Sequence, residues 1–219
     1  NTGQNPFTVE GKKTAAYEII EDLGWRAPDR IVISVGDGNI LVGIHKGLRE
    51  LHELGWIASM PRLLGVQAAG SSPIARAFAS GSDVIEPVVT STLADSIAAG
   101  RPADGRRALC AVRSTGGSFI TVSDDEILAS IVDLGRDAAV FAEPAAAAAH
   151  AGLVRAAAAG LVDPEEEVVV LITGTGLKDV GAATRAVGSS PPVIEPTLDA
   201  LCAAVQRAAV EVTQGQTEP

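Results

Sequence analysis

Two glycine loops carry the residue types in this chain whose spacing suits binding chemistry. The first follows Ile31-Val32-Ile33-Ser34-Val35, where Gly36-Asp37-Gly38-Asn39 leads straight into the helical pattern Ile40, Leu41, Ile44, Leu48, Leu51. A strand, a glycine turn and a helix start aim unpaired backbone N–H groups and the positive end of a helix dipole at one point, where a phosphate can sit. Glycine at 36 and 38 lets the backbone approach an anion with no Cβ in the way. A parallel sheet needs a tight turn there whether or not anything binds, so the loop alone leaves both readings open. Leu41 stands where a dinucleotide fingerprint needs its third glycine, and no Gly-Lys-Ser/Thr closes a Walker loop. The second loop, Thr173-Gly174-Thr175-Gly176-Leu177-Lys178-Asp179, follows the apolar run Val168-Val169-Val170-Leu171-Ile172. Parallel strands would bring both loops to one sheet edge, one holding a phosphate while a hydroxyl of the other meets a ring nitrogen. A plain turn is again the alternative.

The remaining reactive side chains are scattered. His45 and His52 lie seven residues apart on one predicted helix, about 10 Å along its axis, too far to share a metal. His150 sits alone in an alanine-rich helix. Cys110 and Cys202 have no Cys-x-x-Cys or Cys/His spacing, so neither a zinc site nor a disulfide framework is expected, and both are read as reduced, buried thiols. Trp25 and Trp56 each follow a glycine at a helix-end turn and are read as covering core edges.

The elements that must position the loops follow from periodicity. Short β-branched runs at 30–35, 63–68, 117–123, 139–142 and 167–172 alternate with helical patterns at 12–23, 39–54, 72–79, 124–134, 144–159 and 196–212. That alternation predicts an α/β fold, a mostly parallel sheet flanked by helices. Ser123-Asp124-Asp125-Glu126 and Glu143-Pro144 are helix starts, and Gly135 and Gly160 are expected stops. The run Ala145 to Ala149 fits close helix packing.

Of 219 residues, 47% are hydrophobic and 20% charged, enough apolar material for a sizeable core, and no linker divides it. One domain over residues 1–213 with a frayed tail at 214–219 is expected. The formal charge of −10, with no basic cluster longer than Arg106-Arg107, argues against nucleic acid as partner. No apolar run approaches a bilayer span and no leader opens the chain, so no membrane association and a cytoplasmic location are expected. Asn1 in place of an initiator methionine, and a helix signal with no strand before it, suggest a fragment or a processed chain.

Five motifs taken together, Glu10-Gly11-Lys12-Lys13-Thr14, Val35-Gly36-Asp37-Gly38-Asn39, Gly65-Val66-Gln67-Ala68, Ala142-Glu143-Pro144-Ala145 and Thr173-Gly174-Thr175-Gly176-Leu177-Lys178-Asp179, resemble threonine synthase and its relatives in kind and order. The glycine loop is also similar in spacing to that of threonine dehydratase. The resemblance spans residues 5–205. It implies a fold-type II pyridoxal-phosphate enzyme of the tryptophan synthase beta-like architecture, with this stretch forming most of the larger, C-terminal domain. By that resemblance Gly36, Asp37, Gly38 and Asn39 form the cofactor phosphate loop. Thr173 is the hydroxyl facing the pyridine nitrogen, leaving it largely unprotonated. Glu143 matches an acidic residue near the cofactor; a helix N-terminal carboxylate is the other reading. The sequence departs from the family pattern at Ala146, where glycine is usual, and at Asp37, a negative charge beside a dianion whose side chain must point away.

The family's Schiff-base lysine lies in a Ser-x-Lys-Asp-like segment that these residues do not contain, and Lys12, Lys13 and Lys178 fall in other motifs. No catalytic residue and no metal ligand is therefore assigned. The resemblance implies an enzyme of amino-acid biosynthesis acting by elimination or replacement on a small amino-acid substrate, most like conversion of O-phosphohomoserine and water to threonine and phosphate. A serine/threonine dehydratase, a diaminopropionate-type lyase and a non-catalytic small-molecule-binding domain are the alternatives. Activity is expected to require a missing N-terminal half or a complementary chain, and the complete protein is expected to be a homo-oligomer.

Overall fold

The computed structural model describes residues 5–188 and 193–215. Its centre is a four-stranded parallel sheet of β1 (Arg30–Ser34), β2 (Arg62–Ala68), β3 (Ser118–Val122) and β4 (Val168–Val170) in the order β3-β2-β1-β4. The inner strands are buried along nearly their whole length because helices cover both faces, the usual fate of a parallel sheet. Alternation along β1 sends Ile31 and Ile33 to one core with Ile44, Leu48 and Leu109, and Val32 to the other with Leu64, Val66 and the alanines of residues 145–149.

The first face carries α1 (Pro6–Lys12), α2 (Thr14–Asp22), α3 (Asn39–Glu53) and α5 (Gly105–Ser114), with α4 (Pro73–Ala79) following β2. The second carries α6 (Asp124–Ala138) and α7 (Pro144–Ala158), with α8 (Val180–Val187) after β4. Ser123 caps α6 in a reciprocal capping box with Glu126, as its sequence indicates. All five alanines from Ala145 to Ala149 are buried, so the run serves close packing. Further along α7 a Cβ at Gly152 would lie 2.2 Å from a Val66 methyl, which explains glycine where helix meets sheet. The chain forms two compact units, residues 1–186 and 187–219, the second containing α9 (Leu198–Gly215).

Several expectations need correction. The pattern at 12–23 is two helices meeting at Lys13, and α1 begins earlier, where Asn5 caps and Pro6 sits in the first turn. Residues 139–142 form no strand: Ala139, at φ 54°, ends α6, and only Ala142 makes an isolated antiparallel bridge, to Thr175. Gly135 does not stop α6, which runs on to Ala138, and an added Cβ there would meet nothing within 4 Å, whereas Gly160, at φ +69°, does follow the end of α7. Helices α5 and α8 were not anticipated, both having weak start signals. Cys110 and Cys202 are exposed, not buried; in α5 it is Ala108, Leu109, Ala111 and Val112 that face the core, which leaves Cys110 on the opposite side. Gln214 and Gly215 continue α9, and the rest of the expected frayed tail, 216–219, lies outside the described residues.

Trp25 and Trp56 meet edge to face at 4.9 Å, each after a positive-φ glycine. His45 bonds Ser114 and His150 bonds Ser130. Among the described residues no cluster of His, Cys, Asp or Glu could hold a metal ion, and no helix is long and apolar enough to cross a membrane.

Candidate functional site

The strand carboxyl ends are where an open parallel sheet presents loops to ligands. Because β1 and β4 are neighbours running the same way, the loop after β1 and the loop after β4 open side by side. They line one cleft of about 340 Å³, with Gly36, Asp37, Gly38, Asn39, Glu143 and Thr173 in its wall. All six residues singled out from the sequence are thus brought together. Lys12, Ser96, Ile97 and Lys178 join them, which sequence reasoning had not placed there.

The glycine loop is held open by its neighbours. Gly36 lies so close to the backbone of Ile97 that a Cβ would stand 2.9 Å from its Cα. Gly38 is the N-cap of α3 at φ 90°. Asp37 turns its carboxylate outward, accepting the Ala103 N–H at 3.1 Å, while its carbonyl accepts from Asp104 N–H at 2.9 Å. The segment leading into α5 thus holds the Asp37 carboxylate, while the residue remains in the cleft lining. Asn39 donates to buried Asp104 at 2.7 Å, which also receives Arg107 at 2.9 Å. Behind the loop, fully buried Gln67 donates to the Val35 carbonyl at 3.2 Å and accepts from Ala75 N–H at 2.9 Å, tying the end of β1 to α4.

Glu143 is not a helix cap in the side-chain sense. It sits at the N-cap position of α7 but makes no capping bond. Its carboxylate, only 8% exposed, pairs with Lys178 at 2.8 Å and accepts from Ser96 Oγ at 3.4 Å. Its N–H donates to the Gly174 carbonyl at 3.0 Å. Gly174 is needed here, since a Cβ would come 1.9 Å from Glu143 Oε1. The pair Glu143–Lys178 thus joins the start of α7 to the loop that carries Thr173. Thr173 is exposed to the cleft, and its hydroxyl makes no hydrogen bond among the described residues.

The cleft fits a small phosphate ester with a ring: glycines where a Cβ would fill the cradle, a helix N-terminus, a free hydroxyl across the gap, and a volume within the roughly 300–1,000 Å³ of small-ligand pockets. A family model described as pyridoxal-phosphate dependent enzyme matches residues 1–174. This chain belongs to the pyridoxal-phosphate dependent enzyme family. It is 40% identical over 202 residues to a threonine synthase of Methanosarcina acetivorans, covering 92% of this chain and 50% of that protein. A threonine synthase of Methanocaldococcus jannaschii is 39% identical over 90% of this chain and 49% of its own length. The chain therefore spans about half the length of the curated relatives it matches. In fold it is similar to the processed form of threonine deaminase isoform 2 from Solanum lycopersicum, with a TM-score of 0.67, 19% identity, and coverage of 82% of this chain and 49% of that one. The parallel sheet and the family together establish the fold-type II architecture and pyridoxal phosphate as the cofactor.

Lys178 could have been found from its place in Gly-Leu-Lys-Asp, but its pairing with Glu143 could not. Ser96 and Ile97 reach the cleft on a single 3-10 turn (Asp95–Ile97) inside an otherwise irregular connection, too short to carry a period that would signal it.

Proposed function

We propose that this chain forms the cofactor-binding half of an enzyme that converts a phosphorylated amino acid by elimination or replacement, most like O-phosphohomoserine and water to threonine and phosphate. The observation that carries the reading is the single cleft in which the glycine loop of β1 faces Thr173 from β4 and the Glu143–Lys178 pair. The backbone N–H groups of residues 36–39 hold the cofactor phosphate at the positive end of α3. Thr173 would offer the ring nitrogen a neutral hydroxyl partner in place of a carboxylate, so nothing there would force that nitrogen to take a proton. Glu143, neutralised by Lys178, orients the Thr173 loop and presents no free negative charge to an anionic substrate. When bound, pyridoxal phosphate supplies an electron sink for charge developing on the substrate carbon frame.

The nucleophilic lysine is supplied by a complementary portion. Lys178 is committed to Glu143, and Lys13 and Lys46 to Glu50 and Glu10, while Lys12, also in the cleft, belongs with Lys13 to the Glu-Gly-x-Lys-Thr motif and not to a Ser-x-Lys-Asp-like segment. Incubating the chain with pyridoxal phosphate and borohydride, then measuring intact mass, is expected to show reversible binding with no stoichiometric adduct on one lysine. Combined with the preceding half of a relative, the chain is expected to release phosphate and threonine from O-phosphohomoserine. A single specific adduct on the chain alone would overturn the division of labour, and no cofactor binding at all would overturn the function.

A further inference from the structure

A groove of about 460 Å³ runs between α3 and α5, and no residue of the cofactor cleft lines it. Its walls follow from helix periodicity. Arg106, Cys110 and Ser114 stand at i, i+4 and i+8 on α5, one row about 12 Å long at 1.5 Å per residue. Val42, His45 and Arg49 stand at i, i+3 and i+7 on α3 and form the facing stripe. The walls meet where Ser114 Oγ lies 3.1 Å from His45 Nε2. Val42 and Ala111, both buried, give the groove an apolar floor.

Helix α3 is a firm wall. A Cβ at Gly43 would stand 2.7 Å from Lys12 Cβ, and one at Gly47 would stand 2.5 Å from the Lys13 carbonyl oxygen, so glycine at both positions lets the end of α1 lie directly on that helix. Lys13 and Lys46 then pair with Glu10 and Glu50, joining α1 to α3 a second time.

The charge of the groove runs against that of the molecule. The chain carries a formal charge of −10, yet four of its 17 lysines and arginines, Lys46, Arg49, Arg106 and Arg107, line this one concavity, and no Asp or Glu does. Carboxylates reach three of the four from outside the lining: Glu10 and Glu50 hold Lys46, Glu53 holds Arg49 at 3.3 Å, and Asp104 holds Arg107 at 2.9 Å. A guanidinium is a planar fork with more N–H donors than one such contact uses, so donors remain for a further acceptor. Arg106 makes no ion pair or hydrogen bond among the described residues. Single exposed arginines are ordinary on any surface, whereas cations on both walls of a concavity with an apolar floor repel one another until an anion lies among them.

We infer that this groove binds a small organic anion carrying two or more phosphate or carboxylate groups, held by Arg49 on α3 and by Arg106 and Arg107 on α5. Val42 and Ala111 lie beneath the carbon frame of the ligand. Guanidinium groups on both walls call for at least two acid groups, since each fork pairs with the face of one. The volume is that of a metabolite pocket. Arg107 also holds Asp104, the acceptor of Asn39, so the groove and the glycine loop share one chain of hydrogen bonds. For that reason Arg107 stays unchanged in the test.

Cys110, exposed in the row between Arg106 and Ser114, reports occupancy of the groove, and exposed Cys202 on α9 is the reference within the same chain. The whole chain is alkylated with iodoacetamide at constant ionic strength, with pyridoxal phosphate present to fill the cleft, and modification of each cysteine is followed by peptide mass. The probes are pyrophosphate and citrate, and each Kd is read from the rate against probe concentration. At about ten times its Kd a probe is expected to slow Cys110 about tenfold, because only about a tenth of the grooves stay empty, and to leave Cys202 unchanged. The double substitution Arg49→Gln with Arg106→Gln is expected to weaken the probe by about 10- to 100-fold, with cofactor affinity within about twofold of wild type. Arg106→Gln alone serves if the double variant does not fold, since that side chain bonds nothing among the described residues. Protection by pyrophosphate alone assigns phosphate groups, by citrate alone carboxylates, and by both either class; each result supports the site. Protection by neither probe at about 10 mM, equal slowing of the two cysteines, or full protection in the variants would overturn it. The readout at Cys110 does not depend on whether the cofactor binds, so this inference and the proposed function stand or fall separately.

Discussion

Gly38→Ala is expected to lower the stability of the chain by about 2–5 kcal/mol and to weaken pyridoxal-phosphate binding by at least about tenfold. Two costs add at this position. The backbone is left-handed at φ 90°, which costs an L-residue about 1–2 kcal/mol. The new Cβ would also lie 2.9 Å from Ala108 Cβ and 3.2 Å from the Asp104 carbonyl oxygen, both belonging to the packed start of α5. Overpacking of this kind costs about 1–3 kcal/mol. Relief requires the start of α3 to move off α5, which breaks the Asn39–Asp104 bond and the Asp104 N–H bond to the Asp37 carbonyl. Those bonds aim the amides of the cradle, so affinity falls together with stability. Gly24→Ala is the control: it has φ +66° but no atom within 4 Å of the added Cβ, and lies away from the cleft, so only the backbone cost of about 1 kcal/mol is expected. Urea midpoints and a cofactor titration on the three proteins decide it. Equal losses in the two variants would show that the contact with α5 contributes nothing.

Glu166→Gln should produce a loss of about 3 kcal/mol or more, with no change in cofactor affinity of the folded chain. Arg30 and Glu166 form a buried pair at the opposite end of the sheet from the cleft, with side chains 3% and 8% exposed. Arg30 Nε donates to Glu166 Oε2 at 2.7 Å, and its Nη2 donates to Glu166 Oε1 at 3.1 Å and to the Leu161 carbonyl at 2.9 Å. Arg62, Arg30's partner in the β1–β2 register, reaches the same carboxylate at 2.9 Å. One acid thus ties the starts of β1 and β2 to the connection between α7 and β4. Amidation leaves the guanidinium of Arg30 buried without its counter-charge, the costly way to break such a pair. The same geometry sets a pH dependence. The Arg30 hydrogen bonds outweigh burial and hold the Glu166 carboxyl below its ordinary value. Its stabilisation is therefore complete above the unfolded carboxylate value of about 4.3 and is lost as pH falls through the lower folded value. Urea midpoints measured between about pH 6 and pH 3 should fall more steeply for wild type than for the glutamine variant. Parallel curves would show that Glu166 has no special linkage to folding.

The sequence alone determined the features that arise from local chemistry. Alternating β-branched and alanine-rich stretches led to an α/β layered fold, because period and propensity act within a few residues. The two glycine loops announced themselves in the same way, since a strand followed by Gly36-Asp37-Gly38-Asn39 constrains its own backbone. Ser123 with Glu126, and Pro144 at a helix start, were legible because capping involves only three or four adjacent residues. Where local signals were weak or conflicted, tertiary packing prevailed: Gly135 stayed helical, residues 139–142 had too little to pair with, and Cys110 was turned outward by the face of α5 that meets the core.

Only the tertiary structure could decide which groups share the cleft and what each is bound to. Glu143 reads equally well as a cap or as a site acid in one dimension; its pairing with Lys178 depends on the segment before α7 meeting the loop after β4, where Ala142 bridges Thr175 and the Glu143 N–H reaches the Gly174 carbonyl, a meeting that no local pattern encodes. The side chain of Asp37 could be placed only by the Ala103 amide, distant in sequence, which donates to its carboxylate. Lys12 and Lys13 are adjacent and chemically identical, yet the approach of α1 to Gly43 and Gly47 sends one into the cleft and the other to Glu50. The physical reason is the same in each case: backbone conformation is set by near neighbours, whereas the partner of a charged side chain is set by which elements the core brings together.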